Sequence, residues 1–289
     1  MISCQHVRKS YKTDILTDVT FSIEEPKIIG LTGRNGVGKS TLFKLLAGHS
    51  KVTSGDIKLF GEQPFNNLFV AANTILIDEK MTFPSTLSLG NILKQAKRFY
   101  PNFALARARS LADYAKLPLK SYHQHLSRGQ RATFNLIYAL CTRCAVTLLD
   151  EPMNGMDEAI RDDFYRAILK EFIEAPRVII ISSHHLSEME HLLEDIILLD
   201  DGVVKKHDAI EVFQQYAMRV RGMKEEMEPL LLGETVLAEK QNGPFYEVII
   251  EASGKRALQE KGHYLSASET CKLLTEKSQG GIDDVFREA

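Results

Sequence analysis

Short apolar runs separated by polar, turn-forming residues recur along the first two thirds of the chain. Those at residues 28–32, 74–79, 145–151 and 177–183 have the length of buried strands, and helical periodicity marks much of the sequence between them. Residues 2–25 instead alternate polar and apolar positions, which predicts edge strands of an antiparallel patch. This order of elements predicts an α/β core: a mixed sheet flanked by helices, together with the antiparallel patch.

Two helical segments and a hairpin complete the predicted core. Residues 85–125 are mostly helical in pattern and predict a helical subdomain. Residues 131–144 form a long helical run in which Phe134, Ile137, Tyr138 and Cys141 fall on one stripe. Residues 194–204 predict a hairpin with Asp201 and Gly202 at its turn.

The pattern changes after the hairpin. A charged helix is predicted over about residues 209–228, followed by glycine and proline breaks, a strand at residues 245–252 and an amphipathic piece that runs to Phe286. We find no catalytic motif in this part. The sequence therefore predicts a larger domain over residues 1–207 and a small α+β accessory domain over residues 208–289.

Composition argues against several kinds of protein. The 289 residues have a formal net charge of −2 and a pI near 6.5, which gives no general attraction to nucleic acid or anionic lipid. The apolar runs are far shorter than the ~20 residues of a membrane helix, and residues 1–12 lack the apolar core of a signal peptide. We expect a soluble protein that stays where it is made and does not bind nucleic acid.

The spacing of the four cysteines does not indicate a disulfide framework. Cys141 and Cys144 have CxxC spacing within the predicted helix, but no second pair follows, and Cys4 and Cys271 are remote. We interpret the pair as reduced, structural thiols in a reducing compartment rather than as a zinc or redox site.

One stretch, GRNGVGKST, carries specific chemistry, because it follows an apolar strand and precedes a helical run closed by Gly48. Its Gly-x4-Gly-Lys-Ser spacing lets backbone N–H groups point at phosphate oxygens, at a helix start that favours anions. Lys39 can reach the β- and γ-phosphates, and the Ser40 hydroxyl can bind Mg²⁺. We predict that a nucleoside triphosphate is bound by the whole loop: Gly33, Arg34, Asn35, Gly36, Val37, Gly38, Lys39, Ser40 and Thr41.

Polar residues at the ends of predicted strands indicate hydrolysis. Asp150 ends an apolar run and can hold Mg²⁺ through its waters. The adjacent Glu151 is expected on the opposite face, where it can take a proton from the water that attacks the γ-phosphate. His184 can donate to a γ-phosphate oxygen or orient that water. We interpret four other histidines as surface residues and expect no metal-ligand cluster among them: His123, His125, His185 and His191.

Other candidates keep a second interpretation. Tyr11 lies in an exposed-looking basic stretch and can stack on a nucleobase or be an ordinary strand tyrosine. Asp78 or Glu79, after a strand, can sense Mg²⁺ or the attacking water, or belong to a solvated loop. Ser127 and Gly129, at the start of a helix, can bind an anion or form a plain cap.

The order of these motifs resembles that in the ATP-binding subunit of an ABC transporter, over residues 1 to about 207. The motifs are, in order, Tyr11, GRNGVGKST, LSRGQ, LLDEP, the turn MNGMD and SSH. The LSRGQ element just before the LLDEP strand makes this resemblance specific. It implies a P-loop NTPase core that binds ATP and Mg²⁺, with Tyr11 stacked on adenine. It further implies that Asp150 is the Walker B aspartate, Glu151 the catalytic base and His184 the switch histidine.

The resemblance also implies an assembly. In the signature segment, residues 126–130, Ser127 with Gly129 and Gln130 would contact ATP held by an opposite subunit, and Asp157 would end the D-loop. Two such subunits, a homodimer or a pair with a sibling, would enclose two nucleotides and drive an integral-membrane permease that is a separate chain. The implied location is cytoplasmic, peripheral at the inner face of the cell membrane.

Three departures from the family pattern accompany these motifs. Arg128 replaces the second signature glycine, and Asp78 or Glu79 stands where the family has the Q-loop glutamine. The helix after LSRGQ also lacks the usual Gln-Arg-rich start. Acidic replacements, a C-terminal extension and an ending similar to residues 281–286 occur together in one branch of bacterial exporters, which implies export.

Two other functions compete with transport. A soluble ABC ATPase that acts on ribosomes or DNA would usually carry two cassettes in one chain or a long coiled coil between the Walker motifs, and the sequence has neither. A regulatory module would hold ATP without turning it over. Glu151 and His184 argue against that module, whereas Arg128 and the missing glutamine favour it.

Overall fold

The computed structural model describes residues 1–275, so the ending at residues 281–286 lies outside the described residues. The chain divides into a first compact unit, Met1–Ile210, and a second unit that begins at Glu211. The sequence-based boundary was placed between residues 207 and 208. The difference arises because the last strand of the first sheet continues to Ala209.

Within residues 1–210, nine strands form one mixed sheet. They are β1 Ile2–Ser10, β2 Asp14–Ile23, β3 Ile28–Thr32, β4 Ser54–Leu59, β5 Thr74–Ile77, β6 Val146–Asp150, β7 Val178–Ser182, β8 Asp195–Asp200 and β9 Val203–Ala209. Their order across the sheet is β4-β1-β2-β9-β8-β3-β7-β6-β5. The strands from β8 to β5 run parallel. β4, β1 and β2 pair antiparallel, as the alternating pattern of residues 2–25 predicted.

The central parallel strands are buried, and an antiparallel hairpin follows them in the sheet. Every residue of β3, β6 and β7 is buried, as expected of parallel strands covered on both faces. β9 returns antiparallel to β8 through Asp201 and Gly202, whose positive φ angles of 44° and 79° suit a tight hairpin turn. β9 then meets β2 at a single parallel pair, Asp18 with Val203. The α/β fold with a mixed sheet is confirmed.

The helices of this unit are α1 Lys39–Leu46, α2 Leu68–Asn73, α3 Leu89–Phe99, α4 Leu105–Tyr114, α5 Arg128–Thr142, α6 Glu158–Glu174 and α7 Leu186–Met189, with α8 Ile210–Gln214 at the unit boundary. Single turns of 3-10 helix lie at His123–His125 and Glu190–Leu192. The four residues of the predicted stripe on α5 are buried, and so is every other residue from 133 to 142. α5 packs against β5 and β6 and also contacts α3, α4 and α6, so it has no solvent-facing side there.

One histidine prediction is wrong. His123 is 5% exposed, and its Nε2 lies 2.8 Å from Oδ1 of Asn135 on α5. Burial lowers the pKa of His123, which favours the neutral ring. His125, His185 and His191 are exposed. Residue type and spacing gave no sign of this burial, because His123 enters the core only through the packing of α5.

All four cysteines are buried. Cys141 lies in α5, and Cys144 follows the helix after Arg143, which has a left-handed φ of 54°. Burial raises the pKa of Cys141 to about 12 and also raises that of Cys144. Thiols protonated in this way pack as small apolar groups.

The second unit is an α+β arrangement. Its strands are β10 Ala217–Met223, β11 Val236–Asn242, β12 Phe245–Glu251 and β13 Gly262–Tyr264, in the antiparallel order β11-β12-β10-β13, and its helices are α9 Lys224–Leu231, α10 Arg256–Lys261 and α11 Ala267–Thr275. The predicted charged helix over residues 209–228 is wrong, because β10 occupies its middle. Met218 and Val220 are buried and alternate with Arg219 and Arg221, which is strand periodicity.

Candidate active site

The loop between β3 and α1 has a backbone that only glycine permits at two points. Gly33 has φ 149°, and a Cβ there would lie 2.1 Å from the carbonyl O of Leu199. Gly38, the N-cap of α1, has φ 114°, and its Cβ would lie 2.5 Å from Cδ2 of Leu16. The loop can therefore fold tightly over the start of α1, where backbone N–H groups favour phosphate.

Lys39 is the first residue of α1 and is 7% exposed. Its ammonium donates to the carbonyl O of Gly33 at 2.7 Å and to that of Arg34 at 3.3 Å, so it lies inside the curve of the loop. Burial lowers the pKa of Lys39, while the negative charges of Glu151 and Asp150 act to raise it. Both carboxylates thus belong to the electrostatic surroundings of the lysine.

Asp150 ends β6 and Ser182 ends β7, and the parallel register pairs these two positions. The Ser182 hydroxyl donates to Oδ1 of Asp150 at 2.6 Å. Ser182 is fully buried and Asp150 is 9% exposed. Sequence reasoning did not select Ser182. The available signal was a polar residue at the end of an otherwise apolar buried strand.

Glu151 lies one residue past β6 with a left-handed φ of 49°, so strand alternation no longer sets the direction of its side chain. Its backbone N–H donates to Oγ of Ser182 at 3.0 Å. Its Oε2 lies 2.8 Å from Nδ1 of His184, which follows β7. Since a carboxylate only accepts hydrogen bonds, Nδ1 is the donor.

Sheet order explains this cluster. β3, β7 and β6 are neighbours and run parallel, so their carboxyl ends meet at one edge. The structure therefore brings Lys39, Asp150, Glu151 and His184 together with a phosphate-binding loop. This arrangement can hold a phosphate chain next to a carboxylate base that is itself held by an imidazole.

A family model described as ABC transporter matches residues 16–154. The chain therefore contains an ABC transporter domain. It is 28% identical over 255 residues to the ABC transporter ATP-binding protein YtrB of Bacillus subtilis, covering 88% of this chain and 87% of that protein. It is 29% identical over 223 residues to the lantibiotic transport ATP-binding protein SrtF of Streptococcus pyogenes, covering 74% of this chain and 95% of that protein.

A solved structure agrees in fold. The dimeric post-hydrolysis state of the ATP-binding cassette MJ0796, bound to ADP and Pi, matches with a TM-score of 0.62 and 20% identity over 72% of this chain and 98% of that chain. Together the family and these relatives make the chain a nucleotide-binding ABC ATPase cassette of a transporter. Within residues 1–275, no helix has the length and apolarity needed to cross a membrane.

The signature segment of the cassette begins α5. Ser127 Oγ accepts the backbone N–H of Gln130 at 3.2 Å, and Oε1 of Gln130 accepts the backbone N–H of Ser127 at 3.2 Å, which completes a capping box. A Cβ on Gly129 would lie 2.5 Å from the carbonyl O of Gly155. Glycine is thus required here for close packing against the turn after β6.

Two predicted residues of the cassette lie apart from the cluster. Tyr11, in the turn between β1 and β2, is 59% exposed, and the ammonium of Lys9 lies 4.7 Å from its ring centroid. Asp157 is the N-cap residue of α6, but its side chain makes no capping hydrogen bond. An exposed ring and an uncommitted carboxylate are both available to a ligand or a partner.

Asp78 and Glu79 follow β5, at the open edge of the sheet beyond β6. Oδ1 of Asp78 accepts the backbone N–H of Lys80 at 3.0 Å, which closes a local turn. Oε1 of Glu79 accepts from Nη2 of Arg128 at 2.6 Å. Both acidic residues line a cleft of about 360 Å³ shared with Asp150 and Glu151.

Proposed function

We propose that this cassette dimerises around ATP and drives a separate membrane permease in the direction of export, with Glu151 as the base in hydrolysis. The observation that carries the proposal is the 2.8 Å contact between Oε2 of Glu151 and Nδ1 of His184. It lies beside a lysine and a loop suited to phosphate. A module that only holds ATP would have no use for a carboxylate oriented in this way.

In the proposed reaction, water attacks the γ-phosphorus and Glu151 accepts the proton that the water loses. The bond between the γ-phosphorus and the bridging oxygen breaks, and ADP leaves with the electron pair of that bond. Lys39 exchanges its loop carbonyl partners for phosphate oxygens and balances the developing charge. His184 holds Glu151 through Nδ1, and in its charged form its Nε2–H can donate to a γ-phosphate oxygen.

The donor set fits Mg²⁺ held jointly with nucleotide. Within residues 1–275, no group of three or more His, Cys, Asp or Glu side chains could bind a metal alone. The Ser40 hydroxyl and the Asp150 carboxylate, oriented by Ser182, offer hard oxygen ligands of the kind that Mg²⁺ shares with phosphates. Bound there, Mg²⁺ would neutralise charge between the β- and γ-phosphates.

Three features support the proposed dimer, its permease partner and the direction of transport. The exposed Ser127 face is suited to a second subunit, and MJ0796 is a dimeric cassette. YtrB and SrtF are ATP-binding proteins of transporters, which supports a permease as a separate partner and a peripheral position at the cytoplasmic face of the membrane. The acidic residues at 78–79 and the second unit agree with the exporter branch.

Glu151→Gln tests the proposal. Turnover should fall by roughly 10²–10⁴, the usual contribution of a general base, while Mg-ATP binding persists. Phosphate release measures the first quantity and calorimetry the second. Glu24→Gln, which removes an exposed carboxylate elsewhere, should behave as the wild type. Equal turnover in both variants would show that Glu151 is not the base.

Light scattering after size-exclusion chromatography tests the assembly. Glu151→Gln with Mg-ATP should elute as a dimer and without it as a monomer. A monomer in both conditions would overturn the homodimer and favour a sibling subunit. Detergent extracts of cells that make the tagged variant should yield an integral-membrane partner. Recovery of ribosomes or DNA instead would favour the soluble alternatives.

A further inference from the structure

An ion pair joins Arg128, which replaces the second signature glycine of the family, to Glu79, one of the two acidic residues at the place of the Q-loop glutamine. Nη2 of Arg128 lies 2.6 Å from Oε1 of Glu79, although the residues are far apart in sequence. Glu79 is the second residue after β5, and Arg128 is the first residue of α5, directly after the cap Ser127. The pair therefore ties the nucleotide side of the sheet to the start of the signature helix.

A second contact fixes the arginine along its length. Gly155 has φ +84°, and a Cβ there would lie 3.1 Å from Cγ and 3.2 Å from Cδ of Arg128. The aliphatic stem of Arg128 thus lies across this glycine while its guanidinium reaches Glu79. The turn that contains Gly155 begins at Glu151, because the backbone N–H of Asn154 donates to the carbonyl O of Glu151 at 3.2 Å.

The pair is exposed, and this bears on its role. The side chains of Arg128 and Glu79 are 71% and 57% exposed. Exposed ion pairs contribute little to stability, so the fold does not need this one. What the pair does restrict is the direction in which α5 starts. Ser127 moves with that first turn, since it caps the helix through Gln130.

We propose that Glu79 is a positioning residue that acts through Arg128: their ion pair, with the Arg128 stem on Gly155, sets the orientation of Ser127 relative to the chain's own catalytic carboxylates. The inference rests on the proposed function in one respect, that a second subunit's nucleotide contacts Ser127. It gives Glu79 a role different from that of a magnesium ligand, because the carboxylate oxygen is held by a cation of the same chain.

Hydrogen exchange of the nucleotide-free chain tests the positioning without any dimer. The reporters are the amides of Gln130 and Arg131, which bond to the side chain and carbonyl of Ser127. Glu79→Gln and Arg128→Gln should each speed this exchange about two- to five-fold, the range expected for an exposed ion pair. The double variant should be no faster than either single variant. Arg128→Lys and the exchanged pair Glu79→Arg with Arg128→Glu should restore slow exchange.

Lys58→Gln is the matched control. Lys58 forms an exposed ion pair with Asp56 at 2.9 Å on β4, at the opposite edge of the sheet. Lys58→Gln should leave the exchange rates of the Gln130 and Arg131 amides unchanged. Additive effects of the two Gln variants, or no recovery in the exchanged pair, would overturn the inference. So would a weaker Mg²⁺ dependence of ATP binding in Glu79→Gln alone, because that result would make Glu79 a metal ligand.

The same variants in a Glu151→Gln background connect the pair to assembly. Each single change should weaken Mg-ATP-dependent dimerisation about two- to five-fold, again without additivity. If exchange shows the coupling but no dimer forms, the positioning stands and the proposed homodimer fails. If the dimer forms and exchange shows no coupling, the inference fails and the proposed function stands.

Discussion

The hydroxyl of Ser182 donates to Oδ1 of Asp150 at 2.6 Å. Oγ of Ser182 also accepts the backbone N–H of Glu151 at 3.0 Å, so one buried serine contacts two consecutive acidic residues at the end of the neighbouring strand. The site therefore depends on two neighbouring strands, because Ser182 of β7 orients Asp150 and Glu151 at the end of β6.

Ser182→Ala should weaken Mg²⁺-dependent activity. Removing the hydroxyl leaves Asp150 without its orienting donor, and such changes around a metal ligand typically cost 10–100-fold in metal affinity or activity. The Mg²⁺ concentration for half-maximal phosphate release should rise accordingly. Ser110→Ala, on the exposed face of α4, is the control. An unchanged Mg²⁺ dependence would show that the orientation of Asp150 does not need Ser182.

Tyr11→Leu should weaken ATP binding. Stacking on a base contributes about 1–3 kcal/mol, which corresponds to a rise in Kd of roughly 5- to 150-fold. Tyr11→Phe keeps the ring and should bind ATP as the wild type does, since stacking needs no hydroxyl. Calorimetric titration with Mg-ATP measures both. Equal affinities for all three proteins would make Tyr11 an ordinary turn residue.

His123 should make the folded state sensitive to acid. Burial lowers its folded pKa, so below the unfolded value near 6.5 the unfolded chain binds a proton that the folded chain does not. Its contribution to stability is therefore complete above that pH and is lost as the pH falls, with a slope of at most about 1.4 kcal/mol per pH unit.

Urea unfolding of His123→Gln between pH 7 and pH 5 measures this effect. The variant should lose less stability on acidification than the wild type does, even if it is less stable at pH 7. His125→Gln, at an exposed position, should keep the wild-type slope. Parallel slopes for the wild type and His123→Gln would contradict the assignment.

The cysteines should be inert in the folded protein. All four are buried, and burial raises the pKa of Cys4 and Cys141 to about 12, so almost no thiolate is present at pH 8. Iodoacetamide should label the native chain only as fast as the chain opens, and should label all four sites in urea. Rapid labelling of Cys141 or Cys144 under native conditions would indicate a redox or metal role for the CxxC pair.

The phosphate loop was predictable because its chemistry is local. Nine consecutive residues, with a strand before and a helix after, determine where the glycines and Lys39 lie. The role of Ser182 was not predictable, because it depends on the register of β6 and β7, which are separated by α6. The same holds for the pair of Glu79 and Arg128, which only the packed structure brings together.

The sequence pattern predicted the wrong element where strand and helix periodicity overlap. Residues 217–223, AMRVRGM, alternate as a strand but lie between charged segments that favour a helix, and pairing with β12 and β13 decides in favour of the strand. In α5 the helix and its apolar stripe agree with the sequence pattern, but polar positions such as Thr133 and Asn135 are buried as well, by the surrounding helices and sheet. Tertiary contacts determined both outcomes.

Only one residue pair, Asp18 with Val203, joins β2 to β9. The nine-stranded sheet is therefore weakly connected at this point, between two well-paired groups of strands. On one side are β4, β1 and β2 with the turn that carries Tyr11; on the other are the strands from β9 to β5, which include the strand that ends in Asp150. Both sides share one hydrophobic cluster, in which Leu16 packs with Phe43 and Leu199. Because hydrophobic contacts are non-directional, this cluster, rather than a continuous ladder of hydrogen bonds, holds the part with Tyr11 against the part with Asp150.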